Sequence, residues 1–360
     1  MKISYRNLKV SEKLKNSVLK ELKYFFESGL YINENINKNF EVQIAERYKS
    51  KYAIGVSSGT MALYLAIKAL GLSNNDEIIT TPLSWIATLN SISNSGCKPI
   101  FVDVKEDFNI NADLIEDKIT ENTKAIMPVN FMGKICDLDK IYKIANKYNI
   151  YVIEDGAQSF GSDNFSNKIK CKKLIKTVSF NPMKILSSYG EAGAVIVNNS
   201  KLDSKLRKLR YLGTNINGEC QYTSLNGKLD SFKALLINES LKDFDKIKSI
   251  YIRNAVYYNK KLTNKIICPK DQGFGHNYHL YTILSKKRNS LKRYLSDAGI
   301  DTRIVSKKLM ISHNQYKYQY KNYYPVAERL TKEMLSLPNA DHVSKEQSKY
   351  IVEQINRFHQ

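Results

Sequence analysis

The chain has 360 residues, and its hydrophobic fraction of 42% and charged fraction of 25% are those of an ordinary globular protein. It contains no apolar run long enough for a membrane span, and its first residues lack the apolar core of a secretion signal. The formal net charge of +21 is compatible with nucleic-acid binding, but the basic clusters carry no interleaved aromatic residues for base stacking. We attribute the charge mainly to lysine on solvated helix faces and expect no membrane or nucleic-acid partner.

The five cysteines are scattered along the chain, and no two of them form a CxxC pair. This distribution indicates neither a disulfide framework nor a zinc site. We therefore predict a cytoplasmic protein that uses no metal.

Between residues 52 and 199 the sequence alternates short β-rich runs with amphipathic helical stretches. The predicted helices are residues 60–70, 84–94, 112–119 and 138–148, and Gly71 and Gly96 stand where helices should end. Strands that alternate with helices of this length indicate βαβ units. We predict a mostly parallel seven-stranded sheet flanked by helices, with strands at residues 53–56, 77–80, 99–102, 125–129, 151–154, 177–180 and 194–197.

The pattern changes after residue 238. The remaining predicted elements are a long basic helix, a strand and three further helices, at residues 241–262, 278–284, 290–298, 326–336 and 345–358. The sequence thus predicts a large α/β domain over residues 1–240, N-terminal helix included, and a smaller α+β domain over residues 241–360.

The sequence SSGT at residues 57–60 follows a predicted strand and opens a predicted helix. A glycine at position 59 would let a phosphate approach the backbone, and the helix start offers free N–H groups and the positive end of the helix dipole. Ordinary N-capping by Ser58 would explain the same pattern. Ser58, Gly59 and Thr60 are candidate phosphate-binding residues, with capping as the alternative.

The sequence VIEDGAQ at residues 152–158 sets an acidic pair after an apolar strand. The carboxyl edge of a parallel sheet is where doubly wound folds bind ligands. Asp155 could therefore pair with the protonated nitrogen of a pyridine-type cofactor, or it could cap the next turn.

The sequence SFNPMK at residues 179–184 places Lys184 just beyond a predicted buried strand, with Ser179 five residues before it. A lone lysine is usually a solvated surface residue. Lys184, however, lies between two apolar strands, and the glycine-containing GEAG follows at residues 190–193. One loop and one strand separate it from Asp155, which is enough to bring both side chains to the same sheet edge.

In their order, these three motifs resemble those of the DegT/DnrJ/EryC1/StrS sugar aminotransferases, a family of fold-type I enzymes that depend on pyridoxal phosphate (PLP). The resemblance extends from about residue 22 to residue 358. It implies that Lys184 forms the Schiff base with PLP, that Asp155 pairs with the pyridine nitrogen, and that Ser179 binds the phosphate together with the SSGT segment.

Three further segments match the same family pattern: PLSWIAT, VIEDGAQSFG and LNGKLDSFKA. By resemblance, Trp85 stacks on the cofactor ring and Gln158 lies near its phenolic oxygen. Asn226 reaches the phosphate in the neighbouring subunit, so the resemblance implies a homodimer with shared active sites.

The reaction implied by the resemblance is transfer of an amino group, with L-glutamate as the expected donor. The implied acceptor is a nucleotide-linked keto sugar for surface polysaccharide or glycan biosynthesis. The sequence departs from the family pattern in the substrate loop, at Ser306, Lys307, Leu309 and Ile311, and it has Lys228 in place of an arginine. A small phosphorylated ketone, used in capsule decoration, is therefore an alternative acceptor.

Two rival functions remain at the sequence level. A PLP-dependent sugar dehydratase shares this scaffold, but the family then has histidine where Lys184 stands, so Lys184 favours an aminotransferase. A basic nucleic-acid-binding protein without a cofactor is the rival from a different class.

Overall fold

The chain forms eleven α-helices and nine strands within residues 1–29, 31–32, 34–162, 169–269, 275–320 and 322–360, which the computed structural model describes. In chain order they are α1 (Glu12–Ser28), α2 (Glu34–Arg47), β1 (Tyr52–Val56), α3 (Gly59–Leu70), β2 (Glu77–Thr80), α4 (Ala87–Asn94), β3 (Lys98–Phe101), β4 (Thr123–Ile126), α5 (Leu138–Lys147), β5 (Tyr151–Asp155), β6 (Leu174–Ser179), β7 (Gly193–Val197), α6 (Ser200–Leu209), α7 (Ser231–Leu241), α8 (Phe244–Lys261), β8 (Tyr281–Leu284), α9 (Arg288–Asp297), α10 (Pro325–Glu333), β9 (Met334–Leu337) and α11 (Lys345–Phe358).

Seven strands form one sheet in the order β1-β7-β6-β5-β4-β2-β3. Strand β7 runs antiparallel to both of its neighbours, and the pairings from β6 to β3 are all parallel. This sheet confirms the predicted α/β fold class, and each predicted strand overlaps a strand of the structure.

Helices cover both faces of this sheet, and the alternation of residues along the strands shows how. Ile78 packs in an apolar cluster with α3, whereas the next residue, Ile79, packs in another cluster with α5. Val152 and Ile153 of β5 divide between the same two clusters. Since both faces are covered, β2 and β7 are buried along their whole length.

Local sequence determines where α3 begins and ends, and this helix is central to the site. The Ser58 hydroxyl accepts a hydrogen bond from Met61 N at 3.0 Å, which caps the first turn. Gly71 ends the helix in the left-handed region, at φ +72°. The predicted ends of this helix are confirmed to within one residue.

The C-terminal part is built around the antiparallel pair β8–β9, which is packed against α8, α9 and α11. Ile3 belongs to the same apolar cluster and forms an isolated β-bridge with Ile300. The first residues of the chain therefore pack against the C-terminal part. Helix α1 packs on α7 instead. The domain division at residue 240 stays a prediction.

Several predicted helices differ in the structure, and the one predicted at 84–94 begins only at Ala87. The helix predicted at 326–336 ends at Glu333, because Met334–Leu337 pair with β8 and all four of these residues become buried. The helix predicted at 241–262 begins only at Phe244. Residues 112–119 form two short 3₁₀ turns rather than one helix.

Candidate active site

A cleft of about 630 Å³ opens at the carboxyl ends of β5 and β6, beside the first turn of α3. Residues of the C-terminal part, including His279 and Arg303, line its other wall. Eight of the nine site residues predicted from the sequence line this cleft: Ser58, Gly59, Thr60, Trp85, Asp155, Gln158, Ser179 and Lys184. The location is the one where doubly wound sheets bind ligands.

Asp155 is the last residue of β5 and is only 4% exposed. Its Oδ2 accepts a hydrogen bond from Thr88 Oγ1 at 2.8 Å, and its Oδ1 accepts one from Ala157 N at 3.2 Å. Burial raises the pKa of Asp155, and the two hydrogen bonds and the charge of Lys184 oppose that rise. A bound cation would stabilise this carboxylate in its ionised form.

Lys184 lies in the turn that follows β6. Its backbone N donates to Asn181 O at 2.8 Å, and the Asn181 side chain accepts from Met183 N at 2.9 Å, so the turn is fixed by its own hydrogen bonds. Burial lowers the pKa of Lys184 to about 8; Asp155 opposes this shift, and Arg6 adds to it. A lysine with this pKa has an appreciable uncharged, nucleophilic fraction near neutral pH.

The start of α3 and the end of β6 approach each other unusually closely. A Cβ atom on Gly59 would lie 2.6 Å from the Cβ of Ser179, and one on Gly193 would lie 2.5 Å from the carbonyl oxygen of Ser58. Glycine at both positions permits this approach. The Ser179 hydroxyl therefore lies beside the free N–H groups of the first turn of α3, an arrangement that suits a phosphate. Ser58 acts as the helix cap and also lines the cleft.

Gln158 and Trp85 contribute to the walls of the cleft in different ways. The Gln158 Oε1 accepts a hydrogen bond from Met132 N at 2.8 Å, which orients the carboxamide and leaves its N–H₂ group for a ligand. Trp85 is 65% exposed and offers a broad apolar surface to the cleft.

Asn226 does not line this cleft. It borders a separate cavity together with Arg210 and Lys228, and its Oδ1 accepts a hydrogen bond from Lys228 N at 3.3 Å. Its predicted contact with the cofactor of a neighbouring subunit stays a prediction.

The model of the DegT/DnrJ/EryC1/StrS aminotransferase family matches residues 12–356. The chain belongs to this family. It is 34% identical over 334 residues to the GDP-perosamine synthase of Escherichia coli O157:H7, a match that covers 90% of each chain. It is 31% identical over 337 residues to the dTDP-3-amino-3,6-dideoxy-alpha-D-galactopyranose transaminase of Aneurinibacillus thermoaerophilus, with 92% of each chain covered. The crystal structure of ntda from Bacillus subtilis with bound cofactor PMP has a TM-score of 0.92 at 27% identity, and the match covers 99% of this chain and 85% of that one.

The resemblance drawn from the sequence is confirmed, and the chain is a PLP-dependent aminotransferase with the fold-type I architecture. Its cofactor is pyridoxal phosphate. The cleft fits this group, because it combines the start of α3 at Gly59, close to Ser179, with a buried carboxylate at Asp155 and an amine of lowered pKa at Lys184.

Among the cleft-lining side chains that were not predicted from the sequence are Tyr5 and His279. Neither residue lies at a characteristic sequence distance from the three motifs. Residue 5 and residue 279 come together only in the folded chain. A histidine inside the mostly apolar YHLYTIL stretch was the available sequence signal for His279.

Over the ranges that the structure describes, no group of three or more His, Cys, Asp or Glu side chains could hold a metal ion. Over the same ranges, no helix combines the length and the apolar character that a membrane crossing requires.

Proposed function

We propose that this enzyme transfers the amino group of an amino acid, expected to be L-glutamate, to the ketone of a nucleotide-linked keto sugar. The observation that carries the proposal is the placement of the Lys184 amine and the buried Asp155 carboxylate in one cleft. The names of two relatives, a GDP-perosamine synthase and a dTDP-amino-sugar transaminase, support the acceptor class. The product would serve surface polysaccharide or glycan biosynthesis.

When bound, PLP supplies an electron sink that stabilises the negative charge developing at the substrate carbon. Asp155 would keep the pyridine nitrogen of the bound cofactor protonated, because an ionised carboxylate in a buried site favours a cationic partner. The Lys184 amine, which would hold the cofactor, is also the base that would move a proton at the reacting carbon of the substrate. Ser179 and the N–H groups of Gly59 and Thr60 would hold the phosphate, and the Gln158 carboxamide would supply a further hydrogen-bond donor to the cofactor.

The open side of the cleft suits an anionic acceptor. Arg303 lines the cleft, and Lys307 and Lys308 are exposed in the following loop. A nucleotide-linked sugar carries a diphosphate, which this basic rim and the net charge of +21 attract.

The same proposal includes a homodimer in which Asn226 of one subunit contacts the phosphate in the other. Its support is the position of Asn226 outside its own subunit's cleft, in a segment with exposed apolar side chains. These side chains are Tyr211, Leu212, Ile216 and Leu225. Exposed apolar side chains concentrated in one segment are typical of a protein interface.

The cysteines are free, which supports a reducing, cytoplasmic location.

A substrate panel tests this function. The purified enzyme is incubated with L-glutamate and either nucleotide-linked keto sugars or small ketose phosphates, and products are detected by mass spectrometry. We expect amination of a nucleotide-linked keto sugar. Amination of ketose phosphates alone would overturn the proposed acceptor class while leaving the aminotransferase assignment intact.

A further inference from the structure

The segment before α1 places the guanidinium group of Arg6 behind the wall of the cleft. Its Nη1 donates to Tyr251 Oη at 2.6 Å and to Asn339 O at 3.2 Å. Its Nη2 donates to the carbonyl oxygen of His279 at 2.5 Å and lies 3.4 Å from the Nδ1 of the same histidine. Arg6 is thus fixed from three directions, with one edge turned toward the His279 ring.

This contact determines the tautomer of His279. Arginine carries N–H donors and has no acceptor, so the Nδ1 atom that faces it must accept. In a neutral imidazole the proton then resides on Nε2. Burial lowers the pKa of His279 well below its usual range, and the positive charges of Lys184 and Arg6 lower it further. The ring is therefore a neutral Nε2–H donor.

The backbone around His279 holds the ring firmly in the wall of the cleft. Its N donates to Asn277 Oδ1 at 2.7 Å, and the Asn277 amide donates to Gln158 O at 3.0 Å. Tyr278 between them adopts a left-handed φ of +52°, a conformation that costs energy for a non-glycine residue and is common at functional sites. His279 is 3% exposed, and its side chain lines the cleft.

We propose that His279, held as its Nε2–H tautomer by Arg6, donates a hydrogen bond to the carboxylate of the bound amino donor, and that Arg6 is a positioning residue. This inference rests on the proposed function, which brings a carboxylate next to the carbon that reacts beside Lys184. An ionised carboxylate can only accept hydrogen bonds, so the ring nitrogen that faces it must carry a hydrogen. The hydroxyl groups of a sugar acceptor can donate or accept, so they depend less on this tautomer.

The tautomer can be observed without any substrate. In ¹⁵N-histidine-labelled holoenzyme, with the His279 signals assigned by comparison with His279→Gln, we expect the nitrogen shifts of a neutral Nε2–H ring. Arg6→Met, which keeps a long side chain but removes the donors, should shift the His279 signals toward the other tautomer. A protonated ring or an Nδ1–H tautomer in the wild type would overturn the inference.

The two half-reactions, followed separately by the absorbance of the cofactor, test the role of the donor. His279→Leu should raise the KM for the amino donor by about tenfold or more, the effect of losing a hydrogen bond to a charged group, with little change in the acceptor half-reaction. His279→Gln, which retains an N–H donor, should stay near the wild type. An unchanged KM in His279→Leu, or equal losses in both half-reactions, would contradict the inference. Failure of the wild type to accept any amino acid would instead contradict the proposed function.

Discussion

Lys184 and Asp155 both have pKa values displaced toward their uncharged forms. Burial is the main cause for each residue, and each charge partly opposes the shift of the other. Strongly perturbed groups of this kind cluster at catalytic sites, where a nucleophile and a charge partner must function near neutral pH. The cleft thus provides an amine that can attack and a carboxylate that binds a cation.

The pKa of Lys184 predicts how cofactor loading depends on pH. The rate at which PLP attaches to cofactor-free protein should rise with pH and level off above about pH 8, because only the uncharged amine attacks an aldehyde. Absorbance of the attached cofactor, followed after mixing at a series of pH values, measures this rate. A rate that falls as the pH rises toward 8 would be inconsistent with an amine of this pKa.

Replacing Asp155 by asparagine should slow the amino-donor half-reaction by about two orders of magnitude or more while leaving the fold intact, because a neutral amide cannot keep the pyridine nitrogen protonated. The neighbouring carboxylate offers a matched control. Glu154 is also buried, but it faces Tyr142 and Lys176 outside the cleft. Glu154→Gln should therefore retain the wild-type rate. Wild-type kinetics in Asp155→Asn would show that Asp155 only caps its turn.

At the scale of elements, the close contact between α3 and β6 is the feature that we propose to hold the cofactor phosphate. Ser179→Ala removes one hydroxyl and should weaken PLP binding by about 1–2 kcal/mol with little change in melting temperature. Gly59→Ala should weaken PLP binding and also lower the melting temperature, because its Cβ would lie 2.6 Å from that of Ser179. Calorimetric titration and thermal unfolding measure the two effects. Unchanged PLP affinity in both variants would place the phosphate elsewhere.

Local patterns in the sequence predicted the sheet well, because its strands are apolar on both faces and helices such as α3 and α5 have side-chain caps. The same patterns gave a wrong prediction where the conformation of a segment depends on pairing with a distant strand. Met334–Leu337 continue a helical pattern in the sequence but form a strand against β8. The same limit applies to the site. Motifs near one sheet edge identified Asp155 and Lys184, whereas His279 and Arg6 are 273 residues apart and meet only in the folded chain.

At the scale of the whole molecule, the position of Asn226 outside its own subunit's cleft leads to a complementation experiment. Lys184→Ala chains and Asn226→Ala chains are prepared separately and then mixed. If sites are shared, a heterodimer contains one intact site, with Lys184 from one chain and Asn226 from the other, and activity should rise on mixing. Heterodimers are verified by native mass spectrometry. Their presence without any gain in activity or PLP retention would exclude the shared site.

The central claim is that Lys184 holds the cofactor, and borohydride reduction tests it most directly. Reduction of the yellow holoenzyme converts the bond between the cofactor and its lysine into a stable secondary amine, and peptide mapping by mass spectrometry then locates the phosphopyridoxyl group. We expect this group on the peptide that contains Lys184, and no labelled lysine in Lys184→Ala. A phosphopyridoxyl group on another lysine, or on none, would show that Lys184 does not hold the cofactor.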